Sequence, residues 1–260
     1  MCVIDLKKIE EIELKYLKKY YYFLKFAEDE MFFGFQTKEK IKDDWYDNYK
    51  SGISDFAVGA ERIVYALLNG KGIGQPNSAP VGADLFFEVE DAYIHIDLKT
   101  VGASLDRSRN NIGDYINDIF VGENQNSYKG NIVVNKGREN EFTREYKPNL
   151  PTYYSEKDKK KVCLSYFITI LYDKDDLNIL VMCIICMPNG ELEPHYKERV
   201  LKAGKNPGKT RFRFSEVENF ELLEESDEKR VKVIYFDKNM NEHYRNKLTF
   251  FENLFDKYNH

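Results

Sequence analysis

The sequence predicts an α/β fold in which a mixed β-sheet is flanked by helices and preceded by a helical N-terminal region. Three observations carry this expectation. Helical periodicity fills the first 70 residues, strand-like segments follow from residue 83 onward, and helical stretches interrupt those strands without strict alternation. The 260 residues suit one large domain. With 42% hydrophobic residues, including 19 Tyr and 18 Phe, the chain can bury a core, which excludes wholesale disorder.

Residues 5 to 33 read as a helix: Ile9, Ile12, Tyr16, Tyr20 and Leu24 recur near 3.6-residue spacing, with Lys and Glu between them, and Gly34 is expected to end it. Thr37 is a candidate cap for a short second helix through Asp47. Ser54 is a candidate cap for a third, whose Phe56, Ala60, Ile63, Val64 and Leu67 form one apolar stripe ended by Asn69-Gly70. A Gly- and Pro-rich loop follows. Strands are expected at Ala83–Val89, Ala92–Val101, Asn131–Asn135, Val162–Tyr172, Leu177–Met187, Lys209–Phe214 and Val231–Phe236. Asp173 to Asp176 reads as a turn between two long strands, and helices are expected near 111–121, 193–203 and 242–258. The polar, basic stretch 136–161 reads as a long loop.

Composition narrows the function classes. The longest apolar run, Ile179 to Met187, has nine residues, far short of a bilayer span, and the charged N-terminus does not read as a secretory signal. Four cysteines make no disulfide framework, so a cytoplasmic protein is expected. The net charge of −5 means that any nucleic-acid contact comes from a local basic surface. His195 to Arg213 holds seven Lys/Arg and one acid, whereas Phe214 to Glu228 holds seven acids and no base. Cys183 and Cys186 lie three apart on a strand, hence on opposite faces, and read as buried apolar residues rather than a zinc or redox pair. No Walker loop, Rossmann fingerprint or Gly-x-Ser-x-Gly is present.

The informative segment runs from Pro80 to Thr100. A turn symmetric about Glu90-Asp91 opposes residues whose numbers sum to 181. Val89 then faces Ala92, Phe87 faces Ile94, Leu85 faces Ile96 and Ala83 faces Leu98, all apolar and on one face. The other face pairs Glu88 with Tyr93, Phe86 with His95 and Asp84 with Asp97, and Lys99 follows Asp97 on that face. Opposed carboxylates about 5 Å apart at their β-carbons destabilise a sheet unless something compensates. A divalent cation does so, and hard oxygen ligands suit Mg²⁺. Lys99 is then placed to meet a phosphate or lower the pKa of an attacking water. His95, on the same face, reads as a hydrogen-bonded structural residue.

The pattern Pro80-x₃-Asp84-x₁₂-Asp97-x-Lys99-Thr100 resembles the PD-(D/E)xK nucleases, and within them the type II restriction endonucleases; the family's adjacent Pro-Asp is split here by three residues. The resemblance implies a restriction-endonuclease-like fold over a single domain, 1–260. That domain divides into a helical part over 1–70, a catalytic core over 80–135, and a sheet extension and DNA-contact region over 136–260. It further implies Mg²⁺ held by Asp84, Asp97 and the Leu98 carbonyl, with Lys99 serving the water. Such nucleases often place a Glu on the helix before the hairpin, and Glu61 in Gly59-Ala60-Glu61-Arg62 matches that position. Double-stranded DNA, a homodimer and a cognate DNA methyltransferase in the same system are the implied partners. Candidate DNA contacts are Arg107, Arg109, Asn111, Gln125 and Asn126, and further along Lys205, Lys209, Arg211 and Arg213; Arg and Lys suit guanine edges, Asn and Gln adenine edges. A repair or junction nuclease of the same fold, and a non-catalytic nucleic-acid-binding domain, are the alternatives.

Overall fold

The structure, a computed structural model, describes residues 5–45, 56–70, 75–76, 84–156, 159–206, 208–223 and 226–258. The expected cap Ser54, the helix end at Asp47, Pro80, Ala83 and most of the Gly/Pro-rich loop lie outside the described residues. Helices α1 (Leu6–Phe26), α2 (Glu28–Trp45) and α3 (Phe56–Gly70) come first. The strands are β1 (Gln75–Pro76), β2 (Leu85–Glu88), β3 (Ala92–Ala103), β4 (Ile119–Val121), β5 (Gly130–Val134) and β6 (Phe142–Tyr146), then β7 (Tyr153–Glu156), β8 (Lys159–Asp173), β9 (Ile179–Met187), β10 (Leu201–Ala203), β11 (Thr210–Phe212) and β12 (Val231–Phe236). Short helices α4 (Glu193–Tyr196) and α5 (Glu242–Arg245) and the longer α6 (Thr249–Tyr258) complete the chain.

The principal sheet has the order β1-β2-β3-β8-β9-β12, with β7 added to β8. β3 and β8 run parallel and the other pairs antiparallel, so the sheet is mixed, as the sequence predicts. Each edge of β8 is occupied over most of its length, which explains the apolar composition of β8 and β9: Ile179 to Met187 are all buried. A smaller sheet, β10-β11-β4, and the β5-β6 hairpin stand apart from it.

The helical part departs from expectation at its breaks. The first interruption is Ala27, at φ −92° and ψ 15°, rather than Gly34. Glu28, Asp29 and Glu30 open α2, where acids complement the exposed N–H groups of a helix start. Gly34 and Thr37 lie inside α2. A β-carbon on Gly34 would sit 3.2 Å from Ile63 Cγ2, so the glycine lets α2 and α3 approach closely. The segment read as helical over 111–121 is a short turn at 112–114 followed by β4, and 193–203 breaks into α4, a second tight turn and β10. The stretch 136–161 contains β6 and β7 rather than only loop.

Helix α1 lies on the sheet face carrying Phe87 and Tyr166, with Tyr20 in ring contact with both. Its fully buried Glu10 and Glu13 meet Arg230, Nη1 reaching Glu13 at 2.8 Å and Nη2 reaching Glu10 at 2.9 Å. The carboxylates also accept main-chain N–H groups from Asn189 (2.7 Å) and Leu222 (2.8 Å). Burial raises the Glu13 pKa, and Arg230 works against that shift. The two carboxylates and the guanidinium together thus tie α1 to the start of β12 and to two distant loops. Arg230→Ala leaves two buried acids without their cation, and is expected to cost about 3–5 kcal/mol in urea denaturation. A loss under about 1 kcal/mol contradicts that role.

Candidate active site

The β2-β3 hairpin has the register read from the sequence: Leu85 pairs with Ile96, Phe86 with His95, Phe87 with Ile94 and Glu88 with Tyr93. Asp84, one residue before β2, continues that register toward Asp97, and the two carboxyl groups share a hydrogen bond. Asp97 is 4% exposed, whereas Asp84 lies at the rim. The Lys99 ammonium forms an ion pair with Asp97 Oδ2, an oxygen that is buried and has no other hydrogen-bond partner among the described residues. The Leu98 N–H donates to Asp84 Oδ2 at 3.3 Å. Both main-chain groups of an antiparallel strand residue face the same neighbour, so the Leu98 carbonyl also points to the Asp84 edge, just past the start of β2.

The pair holds one proton. Burial, and then the hydrogen bond with Asp84, raises the Asp97 pKa to about 8, against the opposing pull of Lys99. Burial also acts to raise Asp84, but hydrogen bonds from Asp97, Tyr65 and the Leu98 N–H outweigh it and hold Asp84 below the usual carboxylate range. The proton therefore sits on the deeper acid. A divalent cation in its place would satisfy both carboxylates at once. Among the described residues no group of three or more His, Cys, Asp and Glu forms a metal cage. Two carboxylates with one carbonyl suit Mg²⁺, which keeps several waters, and not a structural zinc.

Tyr65, a residue the sequence reading passed over, donates to Asp84 Oδ2 at 2.5 Å. Its hydroxyl pKa is raised, first by burial and then by this bond. Glu61 stands one turn earlier on α3, partly exposed, and its charge acts on the Tyr65 hydroxyl. Lys99 meets a second partner, Gln125 Oε1, at 3.1 Å. His95 is buried, but the expected hydrogen bond is not found: neither ring nitrogen has a partner among the described residues, and the ring lies against Phe86 and Tyr154. Burial lowers its pKa to about 4, so it stays a neutral packing residue.

The family model of the N-terminal domain of the type II restriction enzyme MwoI matches residues 5–176, and that of its central domain matches residues 179–236. The chain belongs to the MwoI family of type II restriction enzymes. No curated protein matches it in sequence. Among solved structures it is similar to the restriction endonuclease BglI bound to its DNA recognition sequence, with a TM-score of 0.66 and 17% identity over 88% of this chain and 92% of that one. It is also similar to the tetrameric restriction endonuclease SfiI bound to cognate DNA, with a TM-score of 0.55 and 14% identity over 83% of this chain and 82% of that one. The MwoI-family chain thus has the restriction-endonuclease fold of the PD-(D/E)xK type.

In this MwoI-family chain a cleft of about 640 Å³ opens beside Lys99, lined among others by Asn124, Gln125, Asn149, Lys205 and Lys209. The other basic and amide candidates are largely occupied inside the fold. Arg211 is 7% exposed, pairs with Asp118 at 2.5 Å and Asp114 at 2.9 Å, and lies 4.1 Å over the Phe120 ring. Arg213 donates to the carbonyls of Arg199 and Glu198. Asn126 is fully buried, donating to the Gly122 carbonyl and Tyr146 and accepting from the Tyr128 N–H. All three are thus engaged by partners within the fold. Lys205 pairs with Asp114 at 2.8 Å at the rim, and Arg109 pairs with Asp175 at 3.0 Å. Arg107, Asn111 and Lys209 are exposed. The basic and acidic segments after residue 195 are also joined, Arg199 meeting Glu221 through both terminal nitrogens.

The shared proton gives a stability test. A folded-state pKa near 8 against an ordinary 3.8 means that Asp97 favours folding fully below the lower value. That contribution is lost as pH rises toward the upper one. Asp97→Asn removes the dependence. In thermal melts of metal-free protein the variant is expected to gain stability over the wild type at about pH 9 relative to about pH 5. A difference that does not change with pH contradicts the shared-proton arrangement.

Proposed function

We propose that this chain is a Mg²⁺-dependent endonuclease that hydrolyses phosphodiester bonds of double-stranded DNA at a short specific sequence, acting as a homodimer. The observation that carries the proposal is the meeting of Asp84 and Asp97 with Lys99 on the inner oxygen. Asp84, Asp97 and the Leu98 carbonyl would hold the ion. When bound, it supplies Lewis-acid stabilisation of charge on the phosphodiester.

The side chains divide the remaining work. Asp97 would give up the shared proton to hold the ion, and Tyr65 keeps the Asp84 carboxylate turned toward its partner. Lys99 orients the attacking water and meets the negative charge of the phosphate. The water oxygen bonds to phosphorus as the opposite P–O bond breaks. The water loses a proton, and the departing oxygen gains one. The cleft beside Lys99 receives the DNA. Lys205, Lys209, Arg107 and Arg109 meet phosphates or guanine edges, and Gln125 and Asn111 contact the duplex close to the catalytic strand. Two-fold symmetry of a homodimer matches a palindromic site. A cell carrying such an enzyme needs its own sites blocked, which a cognate DNA methyltransferase does.

With Mg²⁺, a long defined DNA is expected to give sharp, reproducible fragments; a smear, or no cleavage, contradicts the proposal. Asp97→Ala is expected to bind DNA in EDTA within about threefold of wild type and to lose about 10³-fold or more in cleavage rate. Nicking by that variant at the wild-type rate sinks the site assignment. Tyr65→Phe is expected to weaken Mn²⁺ binding about 10–100-fold by calorimetry; unchanged affinity removes Tyr65 from the metal site.

A further inference from the structure

Gln125 sits where the DNA cleft meets the catalytic lysine. Its Oε1 accepts the Gly122 N–H at 2.8 Å and Lys99 Nζ at 3.1 Å. Both partners are donors, so the carbonyl end of the amide is assigned and the NH₂ end is turned away from them. No hydrogen bond engages that NH₂ group among the described residues, and Gln125 lines the cleft.

The loop carrying Gln125 is held from several sides. Asn149 donates its N–H to the Glu123 carbonyl at 2.8 Å, and Asn126 ties the Gly122 carbonyl to Tyr146. Ser127 Oγ accepts the Gly190 N–H at 3.0 Å, and a β-carbon on Gly190 would sit 2.2 Å from the Ser127 carbonyl. Only glycine permits that approach, so the loop is seated against the turn that follows β9 as a fixed platform.

We infer that Gln125 is a positioning residue that aims the Lys99 ammonium and donates its NH₂ group to a phosphate oxygen of DNA in the cleft, so that seated DNA locks the amide that holds Lys99. The inference rests on the nuclease reading above. A phosphate oxygen is the acceptor because the NH₂ group shares its amide with the oxygen that binds Lys99, and Lys99 serves the reacting phosphate. An ammonium held only by Asp97 keeps the freedom of its four-carbon stem; a second acceptor removes it, and misplacement by about 1 Å costs on the order of 10²-fold in rate.

The test compares wild type, Gln125→Leu, Gln125→Glu, Lys99→Ala and the Lys99→Ala/Gln125→Leu double variant. Single-turnover cleavage with Mg²⁺ at saturating enzyme, DNA affinity in EDTA and melting temperature are measured for each. Gln125→Leu is expected to lose about 10–100-fold in rate with less than about a tenfold change in affinity. Gln125→Glu keeps an acceptor for both donors but has no NH₂ group to give the phosphate, so at saturating enzyme it is expected to recover part of that loss in rate while its DNA affinity falls below that of Gln125→Leu. In the Lys99→Ala background the Leu substitution is expected to cost nothing further.

A full Gln125→Leu penalty without Lys99, no rescue by Glu, or a loss that follows melting temperature overturns the positioning role. A penalty confined to DNA altered at one base pair makes the acceptor a base edge and overturns the phosphate assignment. Wild-type protein that cleaves no DNA overturns the nuclease reading itself, whereas wild-type cleavage matched by Gln125→Leu overturns only this inference.

Discussion

Two acids that repel each other are held in contact at the junction of β2 and β3, and most of the site is arranged around that contact. Neither is an incidental surface charge. Asp97 is buried by the sheet, and Asp84 is held at the edge by Tyr65 and the Leu98 N–H. Without a cation the repulsion is relieved by one proton and by Lys99. A fold retains such a costly arrangement where the cost serves chemistry, and strongly shifted carboxyl groups at a cleft are a mark of functional sites.

The rest of the fold fixes the parts of this arrangement at different depths. Parallel pairing with β8 places Asp97 beside Phe167 and Lys99 beside Thr169. Lys99 consequently stands over an apolar floor rather than in open water. Helix α3 supplies Tyr65 from one side, and the loop after β4 supplies Gln125 from the other. The small β10-β11-β4 sheet carries the outer wall of the cleft, and the Asp114, Asp118 and Arg211 ion network fastens it. Arg230 anchors α1 behind the sheet. Asp97 and Lys99 sit on a rigid strand, whereas most of the polar groups lining the cleft sit on connections, the usual division between scaffold and site.

How much of this is legible in the sequence depends on range. The hairpin register needs only alternation within about 20 residues, because a slip by one residue would turn Leu85, Phe87, Ile94 and Ile96 to the other face. The opposed Asp84 and Asp97 follow from it directly. Tyr65 gives no such signal: a single tyrosine on an amphipathic helix looks like any other partly buried aromatic, and its partner lies 19 residues on. The pairing of Arg211 with Asp114 and Asp118 gives no signal in the sequence because those partners are more than 90 residues away in the chain. Strands β4 and β10 have three residues each, too few for periodicity to register. In β6 the polar run Thr143-Arg144-Glu145 conceals pairing with β5.

The most direct test of the central claim is anomalous diffraction from crystals soaked in Mn²⁺, a stand-in for Mg²⁺ with similar oxygen preference. The account predicts a peak between the Asp84 and Asp97 carboxyl groups and beside the Leu98 carbonyl. A fully occupied peak elsewhere, or none at this pair, contradicts it.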